Sequence, residues 1–140
     1  MIREFIERWE KNKHKLEEYF RTTKQGEYDA YSKIVVKLFE LVINDSRGGG
    51  TVKLNFNTEE MTIIDHGDYQ GTELYILFNG TYQPNVSDYV VTHNYYGSCS
   101  GCDTLLSINN YDDGLPNDDQ VKEYMTLALH LVQRCKWLSE

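Results

Sequence analysis

No lysine or arginine occurs between Leu54 and Val121. The same stretch holds eleven acids: Glu59, Glu60, Asp65, Asp68, Glu73, Asp88, Asp103, Asp112, Asp113, Asp118 and Asp119. A surface that binds nucleic acid or anionic lipid needs cations, and the net charge of −8 over 140 residues counts against both partners. Three cysteines are too few, and odd in number, for a disulfide scaffold, so a reducing compartment fits better. No apolar run approaches the ~20 residues of a membrane-spanning helix. Residues 1–15, MIREFIERWEKNKHK, are charged throughout and lack the apolar stretch of a secretory signal, so a cytoplasmic location is expected. Prolines number only two and apolar residues are 40%, a composition that buries a core and excludes disorder along the whole length. The length suits one domain over 1–140, and there is no internal repeat.

The periodicity of the apolar residues divides the chain. Ile2, Phe5, Ile6, Trp9, Leu16, Tyr19 and Phe20 recur at helical spacing and predict an amphipathic helix over 2–22. After a break at Thr22–Gly26, a second helix is expected over 27–45, with Tyr31, Ile34, Val35, Leu38, Phe39, Leu41 and Val42 as a wide apolar stripe. The short joint implies an antiparallel helical hairpin over about 2–45, and Gly48-Gly49-Gly50 a flexible link. The period then falls to two. Strands are expected at 51–57, 61–65, 72–78 and 88–96, with Val52, Leu54 and Phe56 alternating in the first and Leu74, Ile76 and Phe78 sharing a face in the third. Their short connections imply a four-stranded antiparallel meander. TLLSI (104–108) can form a short helix. Asn117, with Gln120 three residues on, can cap a last helix over about 118–138, with Val121, Met125, Ala128, Val132, Cys135 and Leu138 on its buried side. The fold class is α+β, with the C-terminal helix packed on the sheet.

Charge is unevenly placed. The first 24 residues hold seven Lys/Arg against five Asp/Glu, whereas the cation-free stretch also carries Tyr69, Tyr75, Tyr82, Tyr89, Tyr95, Tyr96 and Tyr111. An acidic surface rich in tyrosine suits a basic protein partner, since charge steers the encounter and tyrosine gives contact area at low entropic cost. It also serves simple solubility. A phosphate ligand here would depend on backbone N–H groups or on cations lent by the helical hairpin.

The densest motif is Tyr95-Tyr96-Gly97-Ser98-Cys99-Ser100-Gly101-Cys102-Asp103. Two thiols three positions apart can grip one metal ion or pair as a disulfide. Zinc would need further ligands, for which His93, His66, Asp103 and Asp68 are the candidates. A redox pair lacks its usual βαβ setting, and the nearby acids should raise the thiol pKa values. A cysteine nucleophile would need His93 or His66 as base, and Ser98 or Ser100 could replace the thiol, but GSCSG is not a GxSxG elbow. The plain alternative is a tight turn that makes Asp103 the N-cap of TLLSI with Cys99 and Cys102 tucked inward. In the turn HGDYQGTE (66–73), Asp68, Gln70 and Glu73 have no evident structural need. Asn109–Gly114 has the composition of a calcium loop without its alternate acids or closing glutamate.

The strings DYQGT (68–72), YQP (82–84), YYGSCSGCDTL (95–105) and QVKEYMTLALHLV (120–132) resemble a set of small proteins encoded by phages and prophages of Gram-positive bacteria. The resemblance covers about residues 60–135 and rests most on YGSCSGCDTL; the stretch 1–45 is less characteristic. It implies a phage accessory protein in the bacterial host cytoplasm and carries over no catalytic or binding residue. It places no histidine at the position of His93, which counts against that residue as a zinc ligand.

The expected function is a non-enzymatic accessory protein that binds and inhibits a host protein, in defence or DNA handling, through the acidic tyrosine-rich surface. One alternative is a small-ligand or metal-binding domain using the 66–73 and 95–103 loops; another is a cysteine-dependent enzyme. The residues assigned to the partner or ligand site are Asp68, Tyr69, Gln70, Glu73, Tyr95, Tyr96, Ser98, Cys99, Ser100, Cys102 and Asp103. No catalytic residue, metal ligand or cofactor is assigned, with zinc as the alternative at the cysteines. No nucleic-acid or membrane partner is expected.

Overall fold

A computed structural model describes residues 1–45, 53–80, 83–99, 101–109, 111 and 114–140. The expected link Gly48-Gly49-Gly50, together with Thr51, Val52, Tyr82, Ser100, Asn110, Asp112 and Asp113, lies outside the described residues.

Helix α1 (Arg3–Thr22) buries Phe5, Trp9, Leu16 and Phe20, the stripe its spacing implies. Helix α2 (Tyr31–Leu38) begins at Tyr31 rather than at residue 27. The cause is local: Gly26 N donates to the Asp29 carboxylate at 2.7 Å and Asp29 N to Gly26 O at 3.1 Å, which closes a turn first. The helix widens into a π-helical turn, Phe39–Ile43, instead of running on to residue 45. Carbonyls at this end lack intrahelical donors. Side chains of α1 supply them, Asn12 Nδ2 to Val42 O at 3.0 Å and Arg8 to Ile43 O at 2.7 Å, so the two helices are stitched where α2 ends.

Residues 53–57 do not form the expected first strand. The alternation is right, for Leu54 and Phe56 are buried, but the segment's backbone pairs with the sheet through a single Phe56–Asn79 bridge. Its N–H groups from Lys53 to Phe56 are taken by side chains, and that of Asn57 donates to Phe78 O. Asp45 Oδ2 accepts from Lys53 N and Leu54 N, Asn79 Oδ1 from Asn55 N, and Asn44 Oδ1 from Phe56 N. A backbone satisfied in this way has no need of a neighbouring strand.

The sheet is antiparallel and four-stranded, in the order β1 (Thr62–Gly67), β2 (Gly71–Phe78), β3 (Tyr89–Tyr96), β4 (Lys136–Trp137). Its fourth strand therefore comes from the C-terminus, where Trp137 pairs with Val90. Helix α4 (Asp118–Gln133) ends before the expected residue 138. Cys135 lies beyond the helix yet fully buried, while Leu138 is exposed and Met125 half-buried. Helix α3 (Thr104–Ile108) lies between β3 and α4.

Leu74, Ile76 and Phe78 do share a face of β2, but the covered face is that of Tyr75 and Leu77. These pair with Thr92 and Val90 of β3, and Thr92 Oγ1 donates to Leu131 O of α4 at 2.7 Å, which seats the C-terminal helix on the sheet. One core joins all layers. Phe5, Phe39, Phe56 and Trp137 meet edge-on or tilted, and Phe20 stacks on Tyr124 at 4.7 Å. No helix among the described residues is long and apolar enough to cross a membrane.

Candidate functional site

The register Gly71↔Tyr96, Thr72↔Tyr95 and Glu73↔Asn94 lays the 67–71 hairpin beside the end of β3, where the cysteine turn begins. Glu73 and Tyr96 are thus brought together on one face, while Tyr95 points to the other, against His93. Asp68, Tyr69 and Gln70 stand exposed at the hairpin tip, and among the described residues no hydrogen bond joins them to the turn. Ser100 lies outside the described residues.

Residues 97–99 and 101–103 are held in a tight turn built on Asp103. Its Oδ2 accepts from Gly97 N at 2.8 Å, and its Oδ1 accepts from Leu106 N and the Tyr31 hydroxyl, each at 2.9 Å. Asp103 is therefore the N-cap of α3, as its position implies. Tyr31 Oη accepts in turn from Leu105 N at 3.0 Å, and burial pushes this phenol up to about 12. Gly97 is required, because a Cβ there would stand 2.4 Å from Cys102 O. Asn94 Nδ2 is buried beside the Tyr31 hydroxyl, outside hydrogen-bond geometry.

The thiols do not tuck inward: Cys99 and Cys102 are both exposed, and only Cys135 is buried. Their Sγ atoms lie 3.0 Å apart. Cys102 Sγ faces the Cys99 N–H at 3.1 Å and the Ser98 hydroxyl at 3.6 Å. These donors, the Cys99 thiol first, then Ser98 and the Cys99 N–H, hold the Cys102 thiol down at about 7, the opposite of the rise expected from nearby acids. The acids that were to raise it are engaged elsewhere, Asp103 with three donors and Asp65 with the Tyr96 hydroxyl. No group of three or more His, Cys, Asp and Glu side chains able to share a metal ion occurs among the described residues, so the proposed third ligands do not gather at the thiols. His93 packs against the Tyr95 ring, 5.7 Å between centroids, and no hydrogen bond places it as a base for either thiol among the described residues.

Two hollows flank the turn. A groove of about 240 Å³ is lined by Glu27, Tyr28 and Asp29 from the α1–α2 joint and by Asp65, Glu73 and Tyr96 from the sheet. Asp29 is offset by Lys33 at 2.8 Å. Asp65 and Glu73 are direct cross-strand partners on one face. Each takes a phenol: Tyr96 donates to Asp65 at 2.5 Å and Tyr75 to Glu73 at 2.7 Å. These bonds, Asp65 first, raise Tyr96 to about 12; burial, then Glu73, raises Tyr75.

A larger cleft, about 560 Å³, separates α3 from α4. Cys102, Thr104 and Ser107 form one wall, and Lys122, Thr126, His130 and Arg134 the other. Arg134 donates to Asn94 Oδ1 at 2.9 Å, whereas Arg3, Arg8 and Arg21 are engaged by carboxylates. Neither hollow was assigned from sequence. The signal for the cleft was present: positions 122, 126, 130 and 134 recur every four residues and so share one helix face. Beside the hairpin cation Arg21, which pairs with Asp118, Lys122 of α4 and its C-cap Arg134 bring positive charge to this half. No protein-family model matches the chain, and no curated protein or solved structure matches it.

Proposed function

We propose that the chain is a binding module that captures a basic protein partner in the acidic groove between the α1–α2 joint and the sheet. The observation that carries this reading is the Asp65–Glu73 pair. Like charges directly opposite one another in a sheet are destabilising, and a lysine or arginine of a partner entering the groove relieves the repulsion. Glu27 adds charge at the rim. Tyr28, 83% exposed, lines the groove and offers aromatic contact area to the partner. In the phage-type setting implied by the YGSCSGCDTL string, the partner is a host protein of the bacterial cytoplasm, one of defence or DNA handling, and binding inhibits it.

The test compares the wild-type chain with an Asp65→Lys/Glu27→Lys variant, immobilised in lysate of a Gram-positive bacterium. Both positions are exposed, and Asp65→Lys faces Glu73 as an opposite charge, so the fold is kept. A basic protein retained by the wild type and lost from the variant is expected, with an association rate that falls as salt rises. Identical captured sets, or a rate indifferent to salt, would sink the reading.

A further inference from the structure

We infer that Cys99 and Cys102 are a redox-active dithiol, oxidised to an intramolecular disulfide by a carboxylate-bearing low-molecular-weight disulfide whose carboxylates sit in the cleft between α3 and α4. The inference is independent of the acidic groove, which lies on the other side of Asp103.

Three observations support it. First, the two Sγ atoms are 3.0 Å apart and both are exposed, so bonding them asks for side-chain adjustment alone and each is open to a reagent. Second, the donors converge on one sulfur. Cys102 Sγ faces the Cys99 N–H and the Ser98 hydroxyl as well as the Cys99 thiol, against one opposing contact, the Cys99 carbonyl at 3.3 Å; the donors outnumber it and hold the thiol down at about 7, which makes Cys102 the better thiolate of the pair. An attacking thiol with a pKa near the ambient pH is the most effective one. Third, Cys102 opens onto the cleft, whose far wall carries Lys122, His130 and Arg134. Arg134 makes no ion pair among the described residues; its guanidinium is held by the Asn94 side chain and the His93 carbonyl, both neutral acceptors, and so keeps its charge for a ligand. Thr104 and Ser107 add hydroxyl groups. Two cations and an imidazole N–H donor facing the Cys102 sulfur suit a small disulfide with carboxylate arms. Two carboxylates, Glu123 and Asp103, also border the cleft, but both Asp103 oxygens are turned to the Tyr31 hydroxyl and to the Gly97 and Leu106 N–H groups.

The chemistry balances without any further reactant. The Cys102 thiolate attacks one sulfur of the small disulfide, a mixed disulfide forms, and the first small thiolate leaves and takes a proton from water. Cys99 then loses its proton to solvent and attacks Cys102 Sγ. The Cys99–Cys102 bond forms as the second small thiolate departs. The protein dithiol is oxidised by two electrons and the small disulfide is reduced to two thiols.

The experiment treats the reduced full-length chain with oxidised glutathione, and separately with the neutral hydroxyethyl disulfide. Each rate is divided by that of free N-acetylcysteine under the same conditions, which removes the intrinsic reactivity of the reagent. Intact mass and peptide mapping follow the products. The expected product is the wild-type chain lighter by two hydrogens with Cys99 joined to Cys102, and Cys99→Ser should instead accumulate a mixed disulfide on Cys102. Oxidised glutathione should react about tenfold faster than the neutral reagent after normalisation, against the net charge of −8 of the chain. That preference should fall in Lys122→Gln, an exposed position, and further in Lys122→Gln/Arg134→Gln. A wild-type chain that stays reduced, or stops at the mixed disulfide, overturns the dithiol. Equal normalised rates for the two reagents overturn the anion cleft.

Discussion

The Tyr31 hydroxyl donates to Asp103 Oδ1 at 2.9 Å across 72 residues of sequence, and so ties the first turn of α2 to the cysteine turn. The same oxygen accepts from Leu105 N, which leaves the first turn of α3 hydrogen-bonded both to its own cap and to another helix. Both reactive regions lean on this junction. Asp103 stands between the acidic groove and the cation-lined cleft and borders each of them.

Removing that hydroxyl tests the junction. Tyr31→Phe leaves the Leu105 N–H without its acceptor and takes one donor from a buried carboxylate. A loss of about 1–3 kcal/mol is expected from the buried unsatisfied groups, read as a lower denaturant midpoint with an unchanged slope. Alkylation of Cys99 and Cys102 should also accelerate as the turn loosens. A variant matching the wild type in both measurements would show that the turn is held by Gly97 and the α3 cap alone.

Acid sensitivity is expected at the other end of α2. Arg8, with smaller help from the Leu54 and Lys53 N–H groups, holds the Asp45 carboxyl down at about 2, below its ordinary 3.8. A depressed folded-state pKa contributes stability that is complete above the unfolded value and lost as pH falls through the folded one. The window is therefore from about pH 4 down to about pH 2. Solvent screening of this partly exposed pair limits the contribution to about 1 kcal/mol. Asp45→Asn should lower stability at neutral pH and flatten its decline across that window, measured by urea titration at stepped pH. A decline as steep as that of the wild type would assign the acid sensitivity to other carboxylates.

The thiol geometry sets a reaction profile. Iodoacetamide labelling of Cys102 should rise with pH to half its plateau near 7, where the Cys99 thiol, the Ser98 hydroxyl and the Cys99 N–H hold the thiolate. Ser98→Ala removes one donor and should shift the midpoint upward; Cys99→Ala, which removes the first-ranked one, should shift it by more. A midpoint near that of a free thiol in the wild type would mean that these donors do not converge on Cys102 in solution.

The elements legible in the sequence are those whose signals are local. The stripe Phe5, Trp9, Leu16, Phe20 is buried as its spacing implies, and Asn117 and Gln120 cap α4 with reciprocal bonds of 2.8 Å. What escaped was set by distant partners. Residues 53–57 alternate like a strand, but Asn44, Asp45 and Asn79 take the N–H groups from Lys53 to Phe56, and nothing in the alternation reveals that. Strand β4 begins two residues after the C-cap Arg134 with no glycine or proline to mark the change. The cleft was hidden because the cation-free stretch ends at Val121 and the next residues, Lys122 through Arg134, fold back over it.

Cys135 offers a last contrast, one that bears on how the C-terminus is docked. It lies beyond α4, just before β4, with no exposed surface, and its Sγ donates to Leu131 O at 3.3 Å. Burial pushes this thiol up to about 12, so in neutral solution it is a protonated small hydrophobe. Cys135→Ala should cost about 1 kcal/mol for the small void it leaves, and Cys135→Asp several times more, through an unpaired buried charge. In native protein treated with a thiol reagent, peptide mapping should find Cys99 and Cys102 modified long before Cys135. The β4 pairing explains that order, since Trp137 on Val90 and in contact with Phe5 closes the chain end over the thiol's neighbours. Labelling of Cys135 at the rate of a free thiol would mean that residues 134–140 detach readily and that β4 is a weak edge of the sheet. Slow labelling that quickens in Trp137→Ala, with Cys99 and Cys102 unchanged, would place the protection in that strand.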